Sequence, residues 1–247
     1  MKRYAYIGLF CLSLALFIFS VYKLLNVYMN YKAGNDFYKN ISHYKPVNFE
    51  EPDTTSNETK QQASQGFAEL KQINSDIIGW LTLDDIPIDY PFAQSADNDY
   101  YLRRDLYGEY LYAGTIFMDY RCAPDMSDFW NILYGHHLKN SSMFGSLKKF
   151  GDKSYFDEHK TGTLILENQT LKLEIFSYIE TNSSDSYIYG LNDGSKNEKQ
   201  AILDYVRQKS EFYRDIDAGI EDDYLILSTC GYDFDQQRIV LISKIQR

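Results

Sequence analysis

The sequence predicts a mostly β fold with helical insertions, preceded by one apolar N-terminal helix, and three observations carry that prediction. From Trp80 onward the chain is a succession of short β-prone runs bounded by Gly, Asn, Asp or Pro. Patterns of helical period between them are short and scattered. Near the N-terminus, Tyr4 to Tyr22 is an uncharged run of 19 residues, where about 20 suffice to cross a bilayer as a helix. Many short strands with short helices between them favour a closed or nearly closed β-barrel.

The elements follow in chain order. Lys2 and Arg3 precede the apolar run, and Tyr at both its ends suits the membrane interface. No small-residue cleavage site follows, so residues 1–29 read as an uncleaved signal-anchor. Lys2, Arg3 and the amino terminus, weighed against Lys23 and Lys32, favour a cytoplasmic N-terminus with the bulk of the chain outside. Residues 30–66 are polar, with Pro46, Pro52 and a Thr-Thr-Ser-Asn-Glu-Thr run, and read as a stalk that includes an amphipathic helix beside the membrane. Residues 67–247 form the main domain. Phe67, Leu70, Ile73 and Ile77 recur at helical spacing until Gly79.

Trp80-Leu-Thr-Leu and Ile86 to Tyr90 are strands around an Asp84-Asp85 turn, and Asp97 to Arg104 is a short helix with an acidic start. Gly114 to Asp119 and Trp130 to Tyr134 are strand-like, and 142–150 and 152–159 are short helices. Thr163 to Glu167 and Thr170 to Tyr178 form a hairpin around Asn168-Gln169. Asn197 to Phe212 is the longest helical pattern outside the apolar run, and two final strands flank Cys230.

Composition excludes some functions. Residues 1–34 hold four cations and no acid, leaving 21 cations against 35 acids elsewhere, a net charge of −14. Such a domain lacks the basic footprint that nucleic acid requires. Of the three cysteines, Cys11 lies in the apolar run as a filler, because Phe10 stands where a lipoprotein site needs a small residue. Cys122 and Cys230 remain, and a disulfide between them is one open reading in an oxidising compartment. The triplets at Asn40, Asn57, Asn140, Asn168 and Asn182 would carry glycans only in a eukaryotic secretory host.

Three residues point to covalent chemistry. Cys230 ends the run Tyr224-Leu-Ile-Leu-Ser-Thr-Cys, and Arg238 opens the next, Arg-Ile-Val-Leu-Ile-Ser. The loop from Gly231 to Gln237 is short enough for a hairpin that returns the guanidinium beside the thiol. A nearby cation favours the thiolate, and a fixed guanidinium stabilises an oxyanion. His136 and His137 follow Asn131-Ile-Leu-Tyr-Gly at another strand end and supply an acid/base. Other readings of the same residues stand beside this one: a buried inert thiol, an Arg paired with Asp233 or Asp235, and a zinc site that lacks a fourth ligand at metal spacing. His precedes Cys, the reverse of papain-like proteases, and the caspase signature, the G-x-S-x-G elbow and the P-loop are all absent.

The set of motifs resembles the class B sortases of Gram-positive bacteria. The matching residues are Tyr134-Gly-His-His137, Ser142-Met-Phe144, Leu227-Ser-Thr-Cys230 and Arg238-Ile-Val240, with support from Ile77-Ile-Gly-Trp-Leu81, Ile86-Pro-Ile-Asp-Tyr-Pro91, Asp97-Asn98, Tyr100-Tyr-Leu102 and Gly114-Thr-Ile-Phe-Met-Asp-Tyr-Arg121. The resemblance runs from about Ile73 to the C-terminus and implies an eight-stranded sortase-type barrel with a long helix between its sixth and seventh strands. It implies a membrane-anchored cysteine transpeptidase that needs no metal or other cofactor. In it Cys230 attacks the Thr carbonyl of an N-P-x-T-x sorting signal on a surface protein, His136 moves the protons and Arg238 holds the oxyanion. The acyl group would pass to an amine of the peptidoglycan precursor, with residues 4–22 in the lipid bilayer. Asn98, Leu102, Tyr187, Ile188 and Ser228 align with substrate-groove positions of the family. The family's order, with the acid/base directly after Gly, selects His136 over His137. Gly231 departs from relatives that carry an acidic residue there. A cysteine protease, a pilus-assembling sortase and a non-catalytic binding module are the alternatives.

Overall fold

The computed structural model describes residues 2–46, 66–190, 194–230 and 237–247. Nine strands lie among them: β1 (Ile77–Leu83), β2 (Asp89–Ala93), β3 (Ile116–Met118), β4 (Trp130–His136), β5 (Thr161–Leu166), β6 (Thr170–Asn182), β7 (Phe212–Tyr213), β8 (Asp223–Cys230) and β9 (Gln237–Gln246). The order β5-β1-β2-β3-β4-β8-β9-β6 closes on itself through β5–β6, so eight strands make a barrel and β7 adds to the side of β6. Closure leaves no sheet edge along these eight strands. Two neighbouring pairs, β2–β3 and β4–β8, are parallel, and the rest are antiparallel.

Alternation along each strand divides the apolar residues between two sides. Leu81 and Leu83 of β1, Leu133 of β4, Leu225 and Leu227 of β8 and Leu241 of β9 fill the barrel with Phe144, Phe150 and Phe156. Ile132, Tyr224, Ile226, Val240 and Ile242 face outward, beneath Ile188, Ile202 and Val206 of two helices, α4 (Ser186–Tyr189) and α5 (Lys196–Lys209). Trp80, Ala93 and Phe117 face outward on the other flank, under Ile41, Phe67 and Leu70. Each large side chain buried in this way contributes about 1.5–3 kcal/mol. α3 (Lys153–Glu158) starts at Asp152, whose carboxylate accepts from the backbone N–H groups of Ser154 and Tyr155.

The long N-terminal helix α1 (Lys2–Ile41) continues well beyond the apolar run. Its side chains stay exposed from Tyr6 to Met29, and none of its apolar window is buried. Where a stalk is expected from residue 30, the helix instead packs on the barrel. Tyr31 meets Tyr112 edge-on, Phe37 meets Tyr107, Tyr38 meets Tyr90, and Ile41 is buried. The Tyr38 hydroxyl donates to the Gly114 carbonyl at 2.6 Å. Residues 47–65 of the expected stalk, the Thr-rich run included, lie outside the described residues.

Two sequence-predicted boundaries shift. The helix expected over 67–77 (α2) occupies 66–73, and Ile77 belongs to β1. Asn74 ends it: its side-chain oxygen accepts from the Asp76 N–H at 2.8 Å and its backbone N–H still donates to the Leu70 carbonyl. The helix expected over 197–212 stops at Lys209, and Phe212 joins β7. The segments expected as helices at 97–104 and 142–150 form 3-10 turns, Tyr100–Arg103 and Gly145–Gly151.

Because α1 carries both the exposed apolar stretch and a face packed on the domain, truncations should separate the two parts. A chain beginning at residue 30 should fold with the stability of the full domain. One beginning at residue 45 loses Phe37, Tyr38 and Ile41 and should be destabilised by about 3 kcal/mol or more, as read by denaturant unfolding of the two fragments.

Candidate active site

Strand register builds the site. β4 and β8 run parallel with Cα partners Trp130↔Tyr224 through His136↔Cys230. His136 and Cys230 are therefore neighbours at the last rung. Paired positions share a face, and counting back by twos places that face on the side of Ile132 and Ile226, outside the barrel. β8 and β9 pair antiparallel as far as Ser228↔Val240. The same register carried two residues on sets Arg238 opposite Cys230. His136, Cys230 and Arg238 thus occupy one row across three adjacent strands. The loop carrying Gly231, Asp233 and Asp235 lies outside the described residues.

Local chemistry fixes each position. Gly135 is needed because the Phe144 ring lies where a Cβ would stand, 2.7 Å away. Phe144 is fully buried, and its N–H donates to the His136 carbonyl at 3.0 Å. The Ser142-Met-Phe motif is therefore the packing floor beneath the histidine. His136 Nε2 lies 2.5 Å from the Leu102 carbonyl. A carbonyl only accepts, so Nε2 carries a hydrogen. Leu102 is held from below by Gly114 at φ +60°, where a Cβ would meet the Leu102 oxygen at 2.5 Å.

His137 is the next residue along the pleat and so turns to the opposite face, bridging Met143. Burial, then the Lys148 charge, holds its imidazole below the usual pKa. On β8, Thr229 is buried and its hydroxyl oxygen accepts from the Ile239 N–H at 3.0 Å, one residue past the last β8–β9 ladder pair. Arg238 is half-buried, lies opposite Thr181 of β6, and donates from Nη1 to the Gln237 carbonyl at 3.2 Å.

The five groove candidates occupy two walls. Asn98 precedes the 3-10 turn that carries Leu102, and Leu102 reaches the site through its carbonyl. Tyr187 and Ile188 lie on α4, whose N-cap Asp185 also accepts from Thr181 and Tyr205 at 2.6 Å each. Tyr187 is exposed and stacks on Tyr205, with ring centroids 4.4 Å apart. The Ile188 side chain is fully buried beneath α5, and its carbonyl accepts from the Trp130 indole at 3.0 Å. Ser228 is buried on β8, with its hydroxyl 2.8 Å from that of Tyr189.

Sequence reasoning gave no role to four residues that join these walls. The Asp119 side chain, directly after β3, is fully buried. It accepts from Arg121 Nε at 2.8 Å and Nη2 at 2.7 Å, from the Tyr134 hydroxyl at 3.0 Å and from Asn98 Nδ2 at 3.0 Å. Arg121 also donates to the Tyr189 carbonyl at 3.1 Å, and Tyr189 stacks over Tyr134. Burial alone would raise the Asp119 pKa, but the Arg121 hydrogen bonds, with those of Tyr134 and Asn98, outweigh it and hold the carboxyl below the usual range. Both Asp119 and Arg121 lie in the quoted run Gly114 to Arg121, which could have found them. The remaining described thiol near this region, Cys122, is free and buried, so the open disulfide reading finds no partner there. Burial first, then the Asp119 and Asp128 charges, pushes its thiol up to about 12.

No family model matches the chain. Sortase B of Listeria monocytogenes is 31% identical over 241 residues, covering 94% of this chain and 95% of that protein. Among solved structures, the chain is similar to a mutant form of Clostridium perfringens sortase B, with a TM-score of 0.76 and 32% identity over 85% of this chain and 97% of that one. It is also similar to a Staphylococcus aureus sortase B–substrate complex, with a TM-score of 0.70 and 31% identity over 74% of this chain and 86% of that one.

The depressed Asp119 carboxyl has a pH signature. A depressed folded pKa contributes stability in full above the unfolded value, near 3.8, and loses it as pH falls below that towards the folded value. Asp119→Asn should therefore be less stable than the parent at pH 6, and the gap should narrow on acidification below about pH 4. Thermal melts of both proteins across that range check it; a pH-independent gap would refute the assignment.

Proposed function

Because the chain belongs to the class B sortases, a family of cysteine transpeptidases, we propose that it cleaves an N-P-x-T-x type sorting signal after Thr and joins the freed carboxyl to an amine of the cell-wall precursor. The observation that carries this reading is the register that pairs His136 with Cys230 and, continued, sets Arg238 opposite Cys230 on the next strand.

The steps follow from the residue types. The Cys230 thiolate attacks the Thr carbonyl carbon, and the electron pair moves onto oxygen. The Arg238 guanidinium offsets that charge, an interaction stronger in the transition state than in the ground state. Collapse breaks the C–N bond, and the leaving amine takes a proton from the His136 imidazolium. A thioester remains on Cys230. The incoming amine attacks it, gives its proton to His136, and expels the thiolate. One difficult acyl transfer is thereby split into two easier ones. The Leu102 carbonyl keeps Nε2–H in place throughout, so the proton moves on Nδ1.

Asn98, Leu102, Tyr187, Ile188 and Ser228 would bind the sorting signal, a reading supported by the S. aureus sortase B–substrate complex that this chain resembles. With Ile188 buried, its contribution would be to seat Tyr187 rather than to touch the peptide. The apolar, exposed stretch of α1 would sit in the lipid bilayer, N-terminus inside and barrel outside.

The test uses a fluorogenic N-P-x-T-x peptide with and without an added amine. The parent should cleave it after Thr and give the amide product when the amine is present. Cys230→Ala should abolish both reactions, His136→Ala should lower kcat/KM by about 10³-fold, and Arg238→Lys by about 10²-fold. Unchanged cleavage by Cys230→Ala would overturn the proposal, and hydrolysis indifferent to any amine would make the enzyme a protease.

A further inference from the structure

We propose that the buried Asp119–Arg121 pair is the positioning element that locks the two walls of the substrate groove together and fixes the hydrogen-bonding polarity of one of them. The proposal rests on the reading above, in which Asn98 and the α4 segment line that groove.

The argument is one of donors and acceptors. An ionised carboxylate only accepts. The Tyr134 hydroxyl, 3.0 Å from Asp119, must therefore point its hydrogen at the carboxylate and turn its lone pairs away. Asn98 is fixed the same way. Its Nδ2 donates to Asp119 at 3.0 Å while its Oδ1 accepts from the Tyr120 N–H at 3.1 Å, so the amide has one orientation. What the two side chains can still offer to a bound peptide is the second N–H and a remaining Oδ1 lone pair of Asn98, in fixed positions, and the lone pairs of Tyr134. A neutral group at position 119 would leave the Tyr134 hydroxyl free to turn over and would weaken the hold on the Asn98 amide, which keeps its Tyr120 N–H contact.

Arg121 extends the lock to the other wall. Its fork is spent on Asp119, and Nη2 also reaches the carbonyl of Tyr189 at the end of α4. Tyr189 in turn stacks on Tyr134 and shares a hydrogen bond with Ser228, two residues before Cys230. A continuous set of contacts thus runs from Asn98 through the ion pair to α4 and back to β8. The Asp119 side chain is fully buried and does not itself face the groove, so it acts through Asn98 and Tyr134.

The experiment separates positioning from simple structural support. In Asp119→Asn, KM for the N-P-x-T-x peptide should rise about 10-fold or more, the scale of one charge-assisted hydrogen bond, while kcat stays within about 3-fold. The rate at which iodoacetamide alkylates Cys230 should be unchanged, since the β4–β8 backbone ladder, not Asp119, pairs His136 with Cys230. In an Asn98→Ala/Tyr134→Phe background the same substitution should change KM by less than about 2-fold, because its intermediaries are gone. Arg121→Lys, which keeps the charge and loses the fork, should raise KM about 3-fold and covers the case in which Asp119→Asn does not fold. An unchanged KM, an effect that persists in full in the double-variant background, or alkylation that slows in parallel would overturn the inference. Failure of the parent to cleave the peptide would instead overturn the functional reading itself.

Discussion

The parallel pairing of β4 with β8 is the constraint on which the site depends. Parallel strands cannot be joined by a hairpin, so the chain between them must travel over the barrel before returning. That crossover carries β5, β6, α4 and α5, the elements that close the barrel and cover its outer face. The same excursion that permits the pairing therefore supplies the wall carrying Tyr187 and Tyr189. Register in such a pair is demanding. A slip of one residue would turn His136 into the barrel interior and bring His137 out in its place. The buried residues on both faces of β4 and β8, Leu133 and Leu227 inside, Ile132 and Ile226 outside, make that slip costly.

Two kinds of order hold the site. His136 and Cys230 are placed by the β4–β8 backbone ladder, while the β8–β9 ladder ends at Ser228↔Val240 and the Thr229 hydroxyl makes the next contact towards Arg238. The groove is positioned by side chains on turns: Asp185 pins α4, Gly114 supports Leu102, and Asp119 gathers Asn98, Tyr134 and Arg121. Backbone order is shared by any sequence with the same strand pattern. Side-chain order is specific to the residues present, and it is there that a family can vary what it binds while keeping its chemistry.

This division explains what the sequence made legible. Strands flanking the reactive residues were readable because their β-branched and aromatic runs are long and are bounded by turn residues. The order of the barrel was not written in any local pattern and came from resemblance. The overrun at Ile77 arose because Ile73 and Ile77 happen to keep helical spacing across a break that Asn74 makes with its side chain. The amphipathic helix read at the start of the stalk region is the end of α1, where Tyr31, Gly34, Tyr38 and Ile41 recur every three or four residues and form the face that packs on the barrel. Asp119 and Arg121 resemble an ordinary solvated pair in sequence. Only the fold reveals that the carboxylate is buried among the side-chain donors of Arg121, Tyr134 and Asn98. Adjacent Tyr187 and Ile188 looked alike as groove residues, but on a short helix neighbours diverge, one stacking on Tyr205 and the other entering the core.

The cysteines show how far place, rather than residue type, decides chemistry. Cys122 lies among buried groups with two carboxylates near it and its sulfur 3.7 Å from the Trp130 carbonyl. Both burial and those negative charges disfavour the thiolate, and a thiol pushed up to about 12 is almost wholly protonated at neutral pH. Cys230 stands instead at a strand end, on the rung of His136 and, by register, across from Arg238. On the proposed reading, a cation at that position would favour the thiolate instead. In the proposed reaction Cys230 would be the thiol that attacks, and Cys122 is a thiol unsuited to that task.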